Sequence, residues 1–432
     1  MNPLKMLINA ARRVEAMFPG YYENSKHDHN KDFGYPDHLE FAAVYQRYLR
    51  NGIAFAGVEQ TILKTWEDNP ELWESSAGTK ETYGESELRQ KFDDLRLWQK
   101  LAEADRRAMV GGYAGLILRY GDQMQFKDPV GNVPGGLDGL VDVIPAWAGQ
   151  LKVSAWDTDP QSVNYGQPVM FNFNESEVSN SRDEVAKNRS FEVHPDRVII
   201  WSRDGTVHNR SVLEPGFNSL IDMEKISGAG GEGFWKNAKS APVLTTAPDI
   251  TVADMAKGMG VTVEEVADKM NDQVQDFNKG FDAMLMLQGM EAKTLGISLP
   301  QPEEFFNIPA QMFAASISCP MKILVGSQTG ERASTEDADQ WGRTNKSRRV
   351  NIAIPNIMSL VRRLEDAKVL PLKDWYIHWS DLTETSMAEK IDRADKMAGV
   401  NQKSGDEIYT ADEIRITTGH NPLSATAGDQ DE

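Results

Sequence analysis

The chain has 432 residues, 40% of them hydrophobic and ten of them Trp, which is enough for two or more folding units and too apolar for a disordered protein. With 46 basic against 65 acidic residues the net charge is −19, which argues against a protein that grips nucleic acid by neutralising phosphates; a soluble cytoplasmic protein is acidic for solubility alone. The single cysteine, Cys319, cannot close an intramolecular disulfide and falls in an apolar helical pattern, where a buried thiol in a reducing compartment is the ordinary reading. Met1 to Phe18 is amphipathic, with Lys5, Arg12 and Arg13, and lacks the apolar core of a signal peptide. No stretch approaches the roughly 20 apolar residues of a membrane span, so the expectation is a protein made in the cytosol that stays soluble.

Residues 21 to 40 are polar and read as an exposed connection. His27, Asp28 and His29 have no spaced second pair and no cysteine partner, so they read as solvated loop residues and not as metal ligands. Phe41, Val44, Tyr45, Tyr48 and Leu49 predict a helix that continues past a glycine around Ile53 and Val58, and Pro70 between Trp66 and Trp73 predicts a turn. Leu88, Phe92, Leu95, Trp98, Leu101 and Ala102 recur every three or four residues and predict one amphipathic helix. Strands are expected at Leu116 to Tyr120, Val141 to Ile144, Leu151 to Ala155 and Val169 to Phe173, followed by a turn and strand over Val193 to Trp201. Gly216 to Ile226 opens a helix, and Gly228-Ala-Gly-Gly-Glu-Gly233 is expected to break or hinge it. The run spells G-x-G-x-x-G, but it follows a helix and opens none, so it lacks the context that brings a phosphate to helix amides. From Ser240 to Leu299 the composition turns methionine-rich at helical spacing, a pattern of adaptable packing surface.

Phe305, Ile308, Met312, Phe313 and Ser316 then mark a helix that Pro320 stops, so Met321 to Val325 reads as a short strand closed by Gly326. A polar loop, Ser327 to Ala333, leads to a capping-box-like Ser334 and Asp337 and to a long helix through Trp341 that Pro355 bends before Ile357, Leu360, Val361 and Leu364. Trp375 to Trp379 reads as a strand, Ser380 to Ala398 as a strand-to-helix ending, and Asp412 to Thr418 as a last short helix before an acidic tail.

The order of helix, small-residue–Pro step, strand into Leu324-Val325-Gly326, glycine-containing loop and long kinked helix resembles the core of tailed-bacteriophage portal proteins. Tyr165-Gly166-Gln167-Pro168, Val193-His194-Pro195-Asp196-Arg197-Val198, the helix start at Gly216 and the Ser380 to Ala398 ending are similar to further family segments in the family's order. The resemblance implies an α+β portal fold with a β-containing wing, stem helices, an inserted clip, a tunnel loop and a long kinked helix. In this numbering that is a wing over 1–213, a first stem helix and hinge over 214–239, a clip over 240–300, and a second stem helix and strand over 301–326. A tunnel loop over 327–335, the kinked helix over 336–367 and a carboxy-terminal wing strand, helix and tail over 368–432 complete it.

By the same resemblance the chain forms a dodecameric ring at one capsid vertex, through which double-stranded DNA is packaged and ejected without sequence specificity. Its partners are a packaging terminase, the capsid protein and a tail adaptor, with no membrane; its place is the virion, and the host cytoplasm during assembly. The channel loop is Ser327, Gln328, Thr329, Gly330, Glu331 and Arg332. Arg343, Lys346, Arg348 and Arg349 face DNA, a neighbouring subunit's acids or solvent. Carboxylates suit such a channel, since each added basic residue adds affinity for the duplex. No catalytic residue, metal or cofactor is expected, because no nucleophile, base and orienting group share a recognisable spacing. The competing readings are a hydrolase using His194 or His378 with nearby carboxylates, and another acidic head component such as an adaptor, which would lack the strand-loop-kinked-helix core.

Overall fold

The computed structural model describes residues 28–75, 81–178, 189–238, 242–246, 251–269, 290–294, 302–326, 331–382, 387–418 and 420. His27 lies outside them, whereas His29 opens a one-turn helix, α1 (His29–Phe33), capped by the Asp28 carboxylate and ended by Gly34 in the left-handed conformation. Asn51 separates α2 (Phe41–Arg50) from α3 (Gly52–Thr65), and its side chain accepts the Ile53 and Ala54 N–H groups. The turn expected at Pro70 leads into a strand that the sequence did not signal, β1 (Glu71–Trp73).

The single helix expected from Leu88 to Ala102 is two. α4 (Tyr83–Asp94), opened by a Thr82–Glu85 capping box, ends at Leu95, and α5 (Leu97–Gly111) starts after Arg96 at φ 50°. The break redirects the apolar stripe so that Phe92 and Trp98 meet edge to face at 5.5 Å, and a two-residue break leaves the three-and-four spacing readable across it.

Three antiparallel strands, in order β3 (Leu140–Trp147), β2 (Ala114–Tyr120), β7 (Val198–Trp201), make one sheet, and β4 (Leu151–Trp156), β5 (Pro168–Asn174) and β6 (Ser190–Val193) make a second. Gly115 is needed where they meet, since a Cβ there would lie 2.1 Å from the Leu151 side chain.

The glycine run forms no break: α6 (Phe217–Ala238) passes through Gly228, Gly230, Gly231 and Gly233. Each costs about 1 kcal/mol of helix propensity relative to Ala. Packing of α6 against a later helix, α8 (Pro302–Ser316), offsets that cost, and Gly216 admits the Phe313 ring. Between them lie β8 (Pro242–Thr246), α7 (Val252–Met259) and β9 (Met290–Thr294), with β8 and β9 paired antiparallel. The helical spacing expected from Met270 to Phe277 falls outside the described residues.

Met321 to Val325 is a helical turn, α9 (Met321–Val325), and not a strand. Pro320 can precede a helix as readily as a strand. Its carbonyl accepts the Ile323 and Leu324 N–H groups, Gly326 closes the turn at φ 74°, and α9 packs on α3. α10 (Glu331–Arg348) begins ahead of the expected Ser334 cap and runs through a π-helical turn, Arg349–Ala353, into α11 (Ile354–Asp366). Then β10 (Tyr376–His378) pairs antiparallel with β1, Leu72 opposite Ile377, and a helical pair follows, α12 (Met387–Ser404) and α13 (Ala411–Thr417).

These elements form two compact units. The first takes Met1–Leu39 and Leu213–Ile317, and its described parts include the α6–α8 pair and α1, tied by the Tyr35 hydroxyl to Asp222 at 2.6 Å. The second takes Glu40–Val212 and Ser318–Glu432. Its main core joins Leu88, Leu97, Leu101, Leu116, Leu118 and Trp201 to Ile357, Leu360 and Leu364 of α11, and a smaller core of Ile117, Leu151, Phe171, Phe173 and Val193 fills the space between the two sheets.

Candidate functional site

The long helix is clamped where its hydrogen-bonding pattern changes. Trp341, Asn345, Arg349, Ala353, Ile357 and Val361 recur every four residues and are all buried, so the stripe that packs α11 into the core continues into α10 through polar side chains. Around the π turn two successive arginines turn inward within the second unit. Arg348 grips Asp105 with two bonds of 2.6 Å and reaches the Thr65 hydroxyl at 3.0 Å. Asp105 is 1% exposed and also accepts the indole N–H groups of Trp66 and Trp201, so four donors surround one buried carboxylate. Arg349 donates to the Thr65 and Ser380 carbonyls and to Asp68 at 2.5 Å, with its guanidinium 4.2 Å from the centre of the Trp379 ring. Burial opposes the charge of Arg349, and Asp68 offsets part of that cost. Burial also raises the Asp68 carboxyl, but hydrogen bonds from Ser380 and Arg349 outweigh it and hold Asp68 below the usual carboxylate range.

The π turn has its own supports. Pro355 has no N–H to give to the turn before it, and the Asn351 and Asn356 amides donate to the Ser347 and Ile352 carbonyls. Asn356 also pairs with Ser202 just beyond β7, which fixes α11 to the edge of the first sheet. Arg363 bonds the Pro195 carbonyl at 3.0 Å.

The four basic residues named from the sequence have different surroundings. Arg348 and Arg349 neutralise acids of their own chain and are turned inward; Lys346 bridges Asp381 at the surface, and Arg343 is exposed. Of the expected channel loop, Ser327, Gln328, Thr329 and Gly330 lie outside the described residues, and Glu331 and Arg332 are the first residues of α10. His194 caps the short 3-10 turn at Pro195–Arg197, its ring nitrogen accepting the Asp196 N–H, and His378 stacks on Trp73 at 4.3 Å. Among the described residues no group of three His, Cys, Asp or Glu is placed to hold a metal ion, and no helix is long and apolar enough to cross a membrane. Asp105 was not singled out by sequence, yet it left a signal, a charge in phase with the apolar stripe of Leu97 and Leu101; Arg349, expected only as one of four basic residues, stands likewise in phase with Ala353 and Ile357.

The geometry defines a scaffold organised round one clamped helix. The phage portal protein family matches residues 48–403, and the chain belongs to that family. No curated protein matches it. A solved chain from the neck of an empty gene transfer agent (GTA) particle, computed with C6 symmetry, is similar over 90% of this chain and 95% of that one, at 14% identity and a TM-score of 0.50. Chains from the virion of the native GTA particle (13% identity, 90% and 95% covered, TM-score 0.47) and from the neck of the native particle computed with C12 symmetry (14%, 88% and 93%, 0.48) are also similar. At such identities the likeness concerns the fold alone.

Proposed function

We propose that the chain is the portal subunit of a phage-like particle, forming a ring at one vertex through which double-stranded DNA enters and leaves. Family membership supports the role, and one observation carries the ring. α8 is apolar on both sides: Ala310, Phe313 and Ala314 are buried within the first unit, while Phe305, Ile308 and Met312 are 56, 62 and 62% exposed in the single chain. Glu303, Glu304, Asn307 and Gln311 share the outer face, but three exposed large apolar side chains at spacings of three and four form a stripe that a neighbouring copy covers in a homo-oligomer. In this reading the second unit is largely the wing, α6 and α8 are the stem, and residues 240–300 are the clip. The stretch from Ser327 to Arg332, which in sequence leads into and opens the clamped helix, borders the channel. The ring carries no chemistry of its own and meets a packaging motor, the capsid and a tail adaptor. The similar chain at a TM-score of 0.50 comes from a particle neck computed with C6 symmetry, which supports a place in the virion.

The test replaces Ile308 and Met312 by Asp. The expected result is a folded chain that no longer assembles by native mass spectrometry; unchanged oligomers would overturn the interface. Deleting Gln328 to Arg332 should leave rings intact and impair DNA packaging or retention, and normal packaging by that variant would remove the loop from the channel.

A further inference from the structure

Resting on the ring reading, we infer that the tip of the β4–β5 hairpin is a preformed knob that docks on the α2–α3 surface of the next copy. The loop between the two strands is fastened throughout. Asp157 and Gln167 pair through backbone, the Gly166 N–H returns to the Asp157 carbonyl, and the Asp157 carboxylate accepts the Asp159 N–H and the Ser162 hydroxyl. Asp159 accepts the Gln161 N–H, and the Ser162 hydroxyl oxygen accepts that of Asn164. This frame holds Val163 wholly in solvent, at 102% relative exposure, beside Tyr165 at 60%. A polar tip would cost nothing in solvent. A rigid apolar tip costs solubility, but it loses little conformational entropy on docking, which is what a binding element needs.

The occupant follows from charge and symmetry. From Trp156 to Pro168 the segment carries Asp157 and Asp159 and no basic residue. In the same unit, α2 and α3 expose Leu49, Phe55 and Leu63. The same two helices carry Arg47, Arg50 and Lys64 against one acid, Glu59, which Arg106 pairs at 2.8 Å; Lys64 pairs with Glu67 at 2.6 Å. An acidic apolar knob and a helix pair of basic balance with exposed apolar side chains therefore occur on one chain. A closed ring is built from contacts in which one surface of each copy meets a different surface of the next, so such a pair can be satisfied all the way round.

The experiment uses the full chain with Cys319→Ser. Val163→Cys is combined with Phe55→Cys or with Leu63→Cys, each variant is checked for assembly by native mass spectrometry, and the assembled protein is oxidised and run on a denaturing gel. The inference expects a ladder of covalent multimers from at least one double variant and none from the single variants. Rings that give no ladder with either pair, or disulfide dimers from Val163→Cys alone, overturn the docking and leave the ring reading standing; a chain that stays monomeric overturns both. Independently, Val163→Asp should raise the concentration at which rings dissociate by about tenfold or more, and an unchanged dissociation concentration counts against the inference.

Discussion

Asp105 lies on the buried stripe of α5, where Leu97 and Leu101 predict another apolar side chain, and only the full set of donors around it makes the position tenable. Removing one partner of a buried pair strands the other charge, so Arg348→Ala should destabilise the second unit by about 3–5 kcal/mol. Arg343→Ala, on the exposed side of the same helix, should stay within about 0.5 kcal/mol. Urea unfolding of both variants checks the contrast, and equal effects would remove the clamp. Acid should weaken the unit at two further carboxylates. Burial opposes the charge of Asp122 as it does that of Asp68, but the Arg197 guanidinium and the Gly131 N–H hold Asp122 below its usual range. Groups with depressed folded values contribute stability that is fully present above the unfolded value, near 3.9, and lost as the pH falls through the folded one. The unfolding midpoint should therefore hold from neutrality to about pH 5 and fall below about pH 4, and Asp122→Asn should flatten the acid limb.

Among the elements, those fixed by periodicity and termination were legible in the sequence: the strands β2 to β5, α8 with its proline-marked end, and a long helix through Trp341 to Leu364. What was not legible depended on partners distant in sequence. The five residues of α9 mix β-branched Ile323 and Val325 with the helix formers Met321, Lys322 and Leu324, and they are helical because Pro320 and Gly326 bracket a single turn packed on α3. β1 is three residues long, and its partner β10 lies about 300 residues away. The glycines of α6 argue for a break locally and are overruled by packing on α8. The clamp was legible only as charges in the wrong phase, since which acid meets which arginine is a tertiary fact. Two substitutions separate local from tertiary control in the first unit. Gly228 is exposed, has no positive φ and has nothing within 4 Å of an added Cβ, so Gly228→Ala should stabilise the helix by about 0.5–1 kcal/mol. At Gly216 an added Cβ would lie 2.4 Å from the Ser316 hydroxyl and 2.6 Å from the Phe313 ring, so Gly216→Ala should lower the melting temperature. A melting curve for each decides, and a gain from Gly216→Ala would contradict the close helix approach.

For the whole molecule, the proposed portal role is one that an acidic chain suits, with Arg348 and Arg349 of its long helix paired to acids of the same chain, since a channel wall for DNA has to avoid sticking. The net charge of −19 limits phosphate affinity, and Arg348 and Arg349 are engaged by Asp105 and Asp68. The outer stripe of α8 is what a single copy leaves unfinished, and a ring finishes it without creating a free edge. Electron microscopy of the purified protein, with native mass spectrometry of the same sample, tests this most directly. The account predicts closed rings whose axial opening admits a B-form duplex, with Phe305, Ile308 and Met312 at the contact between copies. A strictly monomeric or dimeric protein, both free and in assembled particles, would contradict it.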